Sequence, residues 1–184
     1  MADLVESLQS RLSGSLPGAE AQYSMAPDHR PGPEANHAPP ADSKKAAVLL
    51  LFYPREDTLH IPMMLRPANS GPHSRQISFP GGAHEPDDSD MRETALRESH
   101  EELNILPGQV QILGQLTPVY VAPSRFHVDP FVGYSQTRPD FVAEPSEVER
   151  VLEIPVQHLR ENSTRQHEMR EIRGRNVRVP YFAF

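Results

Sequence analysis

The chain has 184 residues, a formal net charge of -7 and no cysteine. That length suits one domain with a working core and is short for two. The acidic balance argues against a protein that grips nucleic acid through its phosphates, and the absence of thiols excludes disulfides and thiolate metal sites. The longest apolar run, 46–53, falls far short of the ~20 residues a membrane helix needs. The N-terminus lacks the basic and apolar blocks of a signal peptide. A soluble cytoplasmic protein with neither nucleic acid nor membrane as partner is therefore expected.

In chain order, Leu4, Leu8 and Leu12 fall on one stripe between Asp3 and Gly14, which predicts a short amphipathic helix over 3–13 packed on the domain as an accessory. From Ser15 to Ser43, Pro17, Pro27, Pro31, Pro33, Pro39 and Pro40 block regular structure. That stretch reads as a linker or ordered arm, which divides the chain into an N-terminal helix with a Pro-rich arm (1–43) and a catalytic domain (44–184). The run 46–53 suits a buried strand, and 58–65 a second one after the polar turn 54–57. A brief strand at 76–79 runs into Pro80-Gly81-Gly82, followed by a loop to Ser89. A helix over 91–103 comes next. Asp90 caps it with Glu93 three residues on, Leu96 and Leu103 with Ala95 and Ser99 supply its inward face, and Asn104 closes it in a left-handed conformation. Strands at 110–116 and 126–134, a helix or two between Ser146 and Arg160, and a last hairpin turning near Gly174 complete the reading. Such a succession indicates an α/β fold, a mixed sheet sandwiched by helices.

Glu98, Glu101 and Glu102 stand at i, i+3 and i+4 of the central helix, so their side chains leave one face of a single turn with Cβ atoms ~5–6 Å apart. Without a counter-charge, each close pair repels by about 1–3 kcal/mol at roughly 5 Å and an effective dielectric of about 20–80. A hard cation reverses that sign, and carboxylate oxygens are the ligands that Mg2+ and Mn2+ prefer. Taken alone, the cluster fits equally well a solvated face laced by i, i+4 pairs, Glu93 with Arg97 and Arg97 with Glu101. The glycines ahead of the helix tip the balance, because Gly81 and Gly82 bring a backbone turn close to its first turns, where a carbonyl joins the cation. None of the nine histidines has the spacing of a zinc site, and His100 reads as solvated. Glu144, Glu147 and Glu149 read as acids favoured at a helix start.

Gly82, Asp88, Arg97-Glu98, Glu101-Glu102 and Asn104 together resemble the signature of the Nudix family: a Gly, a loop, an acidic residue, Arg-Glu, two residues, Glu-Glu and a small left-handed position. Six such fixed residues at ~6% each would match by chance on the order of once in a hundred thousand chains. Asp88 stands where Glu is usual, Asn104 where Gly is usual, and the loop is one residue longer than the commonest spacing. That longer loop, with Phe79-Pro80-Gly81-Gly82 before it and Ala95-Leu96-Arg97-Glu98 after it, is similar to the coenzyme A pyrophosphatase branch. Leu113-Gly114-Gln115-Leu116, Val128-Asp129-Pro130-Phe131-Val132-Gly133 and Ile154-Pro155-Val156 agree, and the resemblance covers most of 46–182.

The resemblance implies the Nudix α/β/α sandwich and a Mg2+ or Mn2+ cofactor. Glu98 and Glu102 would be the principal ligands, Glu101 a ligand or base, Gly82 a backbone ligand, and Arg97 the group that holds the glutamates. Glu147, by its place in the family pattern, is a further acid that approaches the metal. The implied partner is a small-molecule nucleotide diphosphate, in this branch coenzyme A, hydrolysed to 4'-phosphopantetheine and adenosine 3',5'-bisphosphate. Upstream of Phe-Pro-Gly-Gly the branch carries an Arg, then a second Arg and a Gly. This sequence keeps Arg66, has Gly71 at the second Arg and Arg75 at the Gly. Arg66 and Arg75 are thus the substrate-binding candidates, against the plainer reading of two surface arginines. Nucleoside diphosphate sugars, dinucleotides or oxidised nucleotides would use the same metal site, and a nucleotide-binding module without catalysis is a third reading. Members of the branch usually continue into a further helix, so two readings stay open for the end at Phe184: a C-terminal helix of the domain that is missing, or a divergent end.

Overall fold

A computed structural model of the chain describes residues 2–28, 39–68, 74–172 and 174–183; the side chain of Leu4, and Gly71, lie outside the described residues. The architecture is α/β, a large mixed sheet with few helices. Its spine is β1 (Lys44–Arg55), the apolar run expected to be a buried strand. One edge of β1 runs parallel to β7 (Phe126–Tyr134), from Lys44 opposite Phe126 to Phe52 opposite Tyr134. The other edge is shared. Ala46–Val48 pair with β4 (Gly81–Ala83), and Tyr53–Arg55 fold back through a turn at Glu56 and Asp57 onto β2 (Thr58–Leu65). Both turn residues have positive φ, 48° and 62°, as a tight two-residue hairpin requires. β5 (Gln111–Gln115) and β6 (Val119–Val121) pair with β7, while β3 (Ile77–Ser78) and β8 (Arg150–Pro155) flank β2.

Helix α3 (Met91–Leu103) lies across β1 and β4. Alternation along β1 sends Ala47, Leu49, Leu51 and Tyr53 into the core, where they meet Ala95, Leu103 and Ile105, all fully buried. Each buried Leu or Ile there is worth about 1.5–3 kcal/mol relative to exposure. Leu96, expected on the inward face, is only half-buried, at the core's edge. Asp90 caps α3 by accepting from the Glu93 N–H at 2.8 Å, and Asn104 ends it at φ 58°, ψ 31°, as its left-handed tolerance allows. Glu93 does not pair with Arg97. Its carboxylate accepts from the Ser89 N–H and hydroxyl, tying the preceding loop to the first turn.

The helical reading of 146–160 is corrected. Residues 150–155 form strand β8, and only Val156–Arg160 is helical (α4). β2 presents an open edge that Val151, Leu152 and Ile154 can complete, from Arg150 opposite Leu65 to Pro155 opposite His60, and a paired edge outweighs local helix propensity. Pro155 then suits the position just before α4, where a missing N–H costs nothing. β6 has no signal in the sequence, since three residues are too few to carry a period. The closing hairpin is present as β9 (Arg165–Ile172) and β10 (Arg175–Phe182), with Gly174 at φ 73°.

The N-terminal segment carries more structure than a linker. α1 (Ala2–Leu12) is followed by α2 (Gly18–Tyr23), and both touch the domain. Leu12 lies so close to Gly114 of β5 that a Cβ on that glycine would fall 2.7 Å from the Leu12 Cβ, and the Gln22 amide donates to the Thr117 carbonyl at 2.6 Å. Among the residues of α2, only Ala19 is buried, so these contacts add to the core without forming it. Removing residues 1–43 is expected to leave a single cooperative thermal transition at a lower midpoint. A broad, non-cooperative melt of the truncated protein would place the segment in the core instead.

Candidate active site

The site begins with a backbone crossing. After β3 the chain passes Pro80, whose carbonyl accepts from Leu49 N–H at 2.9 Å, and enters β4 directly beside β1. Gly81 has φ 146°, and a Cβ on it would fall 2.2 Å from the Ala47 carbonyl oxygen. Only glycine fits there. This crossing brings the Gly81-Gly82 backbone under α3, where two of the three glutamates of one helical turn meet it.

Glu102 is 2% exposed. Its Oε2 accepts from the Gly81 N–H at 2.8 Å, and its Oε1 from Arg66 Nη2 at 3.3 Å. Burial pushes its carboxyl up to about 8, against the pull of the Gly81 N–H and the Arg66 charge, and the nearby Glu98 and Glu147 carboxylates add to the rise. Glu98 rests on Gly82 so closely that a Cβ there would fall 2.4 Å from its Oε2. Its pKa is also raised, first by burial and then by the charges of Glu101 and Glu147, with Arg97 opposing. Glu101 is the open member, 57% exposed, and its Oε2 accepts from Arg97 Nη1 at 3.0 Å.

Arg97 is held as a fork. Its Nε and Nη2 donate to the two Asp88 carboxylate oxygens at 2.8 and 3.0 Å, Nη2 also reaches the Ala83 carbonyl, and Nη1 reaches Glu98 at 3.1 Å as well as Glu101. Asp88 is itself buried and accepts from the Glu85 N–H and the Thr94 hydroxyl, with His84 Nδ1 2.9 Å from that hydroxyl. The Arg97 fork is the main reason the Asp88 carboxyl lies well below the usual carboxylate range. A carboxylate depressed in the folded state contributes stability that is present above its ordinary value near 4 and is lost as pH falls through the lowered one. Asp88→Asn is therefore expected to cost about 2–4 kcal/mol at pH 7, because it removes the two-pronged anion of a largely buried guanidinium and leaves it only the anions Glu98 and Glu101 at one nitrogen. The difference from wild type should shrink below about pH 4. Equal urea midpoints at pH 7 would contradict the assignment.

The residues singled out by spacing separate into two groups. Glu98, Glu101, Glu102, Arg97 and Gly82 come together, and Arg66 joins them through Glu102. Glu147 is exposed on the 145–147 turn, yet its charge acts on both Glu98 and Glu102; the segment docks on the end of α3 through Glu144 N–H to the Glu102 carbonyl. Arg75 stands apart, 61% exposed and paired with Glu149 at 3.3 Å. Sequence reasoning did not single out Thr94 and His84, the second layer behind Asp88, since neither carries a spacing signal of its own.

The donor set fits a hard divalent cation. Glu98 and Glu102, whose pKa values are raised first by burial and then by neighbouring carboxylates, gain most from a cation, and the glycine at Gly82 leaves room for the Glu98 carboxylate to lie on the backbone. Among the described residues, no three acidic or His side chains already converge as a ready ligand set. Arg97 holds Glu98 and Glu101, while Gly81 and Arg66 hold Glu102, so ligation would exchange some of these hydrogen bonds for metal bonds.

The family model described as NUDIX domain matches residues 43–173. The chain is 31% identical over 144 residues to Nudix hydrolase 15, mitochondrial, of Arabidopsis thaliana, a match covering 77% of this chain and 50% of that protein. It thus spans half the length of that relative. It is 33% identical over 143 residues to the uncharacterized Nudix hydrolase NudL of Photorhabdus laumondii, covering 77% of this chain and 74% of that one. A solved binary complex of a C. elegans Ap4A hydrolase superposes with TM-score 0.51 at 19% identity, over 62% of this chain and 81% of that one. The NUDIX domain of Shewanella oneidensis NrtR, complexed with ADP ribose, superposes with TM-score 0.51 at 17% identity, over 76% and 85%. At such identities these two structures share the fold. No described helix is long and apolar enough to cross a membrane. With the signature residues gathered on α3 and the Gly81-Gly82 crossing, and the domain match spanning most of its length, this chain belongs to the Nudix family.

Proposed function

We propose that the chain is a metal-dependent pyrophosphohydrolase that substitutes water at one phosphorus of a diphosphate in a nucleotide derivative. The observation that carries this reading is the gathering of Glu98 and Glu102 against the Gly81-Gly82 backbone, with Arg97, locked to Asp88, holding Glu101 beside them. Glu98 and Glu102 would hold Mg2+ or Mn2+, with Gly82 and Glu147 adjacent. When bound, such an ion neutralises charge on the diphosphate and acidifies water. The rest falls to the chain's own groups. The Gly81 N–H orients Glu102, and Arg97 keeps Glu98 and Glu101 on the working face. Glu101, the most solvent-accessible of the three, is a further ligand or the base that takes a proton from the attacking water. Arg66, part-exposed beside Glu102, offers the substrate phosphates a cationic fork.

The finer proposal is coenzyme A, cut to 4'-phosphopantetheine and adenosine 3',5'-bisphosphate. Its support is the branch-like run from Phe79 to Gly82 and the later motifs around 113–116 and 128–133. The second reading, a nucleoside diphosphate sugar or dinucleotide, is favoured by the Gly71 and Arg75 exchange and by Arg75 lying with Glu149. A panel of coenzyme A, dephospho-coenzyme A, nucleoside diphosphate sugars and dinucleotides, assayed with Mg2+ and Mn2+ with product identification, tests both. If coenzyme A is the substrate and Arg75 leaves Glu149 for its 3'-phosphate, Arg75→Ala raises KM for coenzyme A about tenfold, the loss of ~1.4 kcal/mol. Dephospho-coenzyme A should change much less, and kcat should hold. Turnover of the other diphosphates without either coenzyme A form would select the second reading; no turnover of any would remove the proposal.

A further inference from the structure

β9 and β10 form a two-stranded sheet of their own, apart from the large one. A lone hairpin is marginal in water, and the two outer edges of this one differ. β10 is guarded. Pro180 has no N–H to offer a new strand, and the Asp28 N–H donates to the Arg178 carbonyl at 3.3 Å from outside the hairpin. β9 has no such guard among the described residues: its 8 residues, Arg165–Ile172, stay in unbroken register with β10, contain neither proline nor lysine, and pair with no other described strand. The Asp28 contact also tells which groups face outward. Arg178 stands opposite Met169. In an antiparallel ladder, opposed residues either bond to each other or both turn outward, and the Arg178 carbonyl is turned outward. The N–H and C=O of Met169, and by alternation those of His167 and Glu171, therefore point to the open edge. Met169 is itself a large apolar side chain, 63% exposed.

We propose that the open edge of β9 is a self-association surface, on which a second copy of this chain lays its own β9 antiparallel about a two-fold axis at Met169. Charge selects this occupant and this register. Pairing about Met169 sets Glu168 opposite the partner's Arg170 and Arg170 opposite the partner's Glu168, at positions where facing side chains lie closest. On the other face His167 meets the partner's Glu171, Glu171 meets the partner's His167, and the exposed Met169 packs on the partner's Met169. Outward groups face outward groups only when the axis falls on a residue and not between two. Moving it one residue earlier would set Glu168 against the partner's Glu168, and one later Arg170 against the partner's Arg170, like charges directly opposed. Within one chain Glu168 already pairs with Arg170 from the same face of the strand, and the second copy offers each of them another opposite charge. No residue of the α3 site takes part, so self-association and hydrolysis can each fail alone.

A single pair of strands buries less than the ~1,600 Å² of a standard interface, so the expected Kd is weak, about 100 µM. Sedimentation velocity of the full chain should show monomer at ~1 µM and mostly dimer at ~1 mM. Glu168→Arg makes this part of the edge basic and Arg170→Glu makes it acidic, and each variant alone should self-associate at least about tenfold more weakly. Mixed one to one, the two variants should form a heterodimer, since each then faces its opposite. A role confined to the hairpin's own stability would not produce that rescue between molecules. Should either variant fail to melt cooperatively, hydrogen exchange on the unaltered chain decides: the amides of His167, Met169 and Glu171 should exchange about threefold more slowly at ~1 mM than at ~20 µM. A chain still monomeric at ~1 mM, which would leave the edge to some other partner, overturns the proposal. Dimers indifferent to both charge reversals, folded variants that give no complex when mixed, or exchange unaffected by concentration would overturn it as well.

Discussion

Glu102→Gln and Glu98→Gln are each expected to lower turnover by at least about a hundredfold while the purified proteins stay folded. Gln fills the same volume as Glu, and in the Glu102 variant its amide oxygen can still accept from the Gly81 N–H, so the crossing under α3 survives. What is lost is the anionic ligand, and with it the hold on the cation that stabilises developing charge on the diphosphate, a contribution of several kcal/mol. The cost of burying Glu102 points the same way: a carboxyl pushed up to about 8 is a poor structural choice without a cation to offset it. Rates with Mg2+ and Mn2+, compared with the wild type at matched thermal midpoints, check this. Near-wild-type turnover in both folded variants would remove these residues from the metal site.

Gly81→Ala should be the most damaging single methyl in the site, costing about 3 kcal/mol or more. The added Cβ would meet the Ala47 carbonyl oxygen at 2.2 Å and the Val48 Cα at 2.6 Å, both backbone atoms of the central strand, and φ 146° is itself strained for any side chain. Neither neighbour can rotate away. Gly82→Ala differs in kind, because its Cβ would meet the Glu98 carboxylate, the end of a flexible side chain. That variant should fold and lose activity by displacing Glu98. Gly108→Ala, with nothing within 4 Å and no positive φ, serves as the neutral control. Urea midpoints for the three, with activity at equal folded fraction, check the ordering. A Gly81→Ala protein as stable as the Gly108→Ala control would mean that the crossing is not as close as described.

Local signals in the sequence were strong where one segment makes its own case. The apolar run of β1, the Asp90 cap and Asn104 close of α3, and the turn at Gly174 are local events, set by side-chain chemistry within a few residues, and they appear where expected. The i, i+3, i+4 placement of Glu98, Glu101 and Glu102 is likewise a property of one helix and needs no tertiary information. Segments whose state depends on a distant partner were not legible in this way. Residues 150–155 become strand because β2 offers them an edge, and the arm after α1 acquires α2 and a contact with Thr117. Both outcomes come from pairing across many residues, which local propensity does not encode.

The sequence by itself determined which residues share the helical turn and which glycines precede it, because both are matters of spacing along the chain. Tertiary structure alone decided how unequal the three glutamates are. The β4 crossing buries Glu102 under the Gly81 N–H, lays Glu98 on Gly82 and leaves Glu101 open, although all three have the same chemistry in sequence. It also decided that Asp88, not Glu93, anchors Arg97, and that Arg66 reaches Glu102 while Arg75 turns to Glu149. The reason is common to all of them. Desolvation and partner choice depend on which backbone passes within a few ångströms, and that is set by strands far apart in the chain meeting at β1.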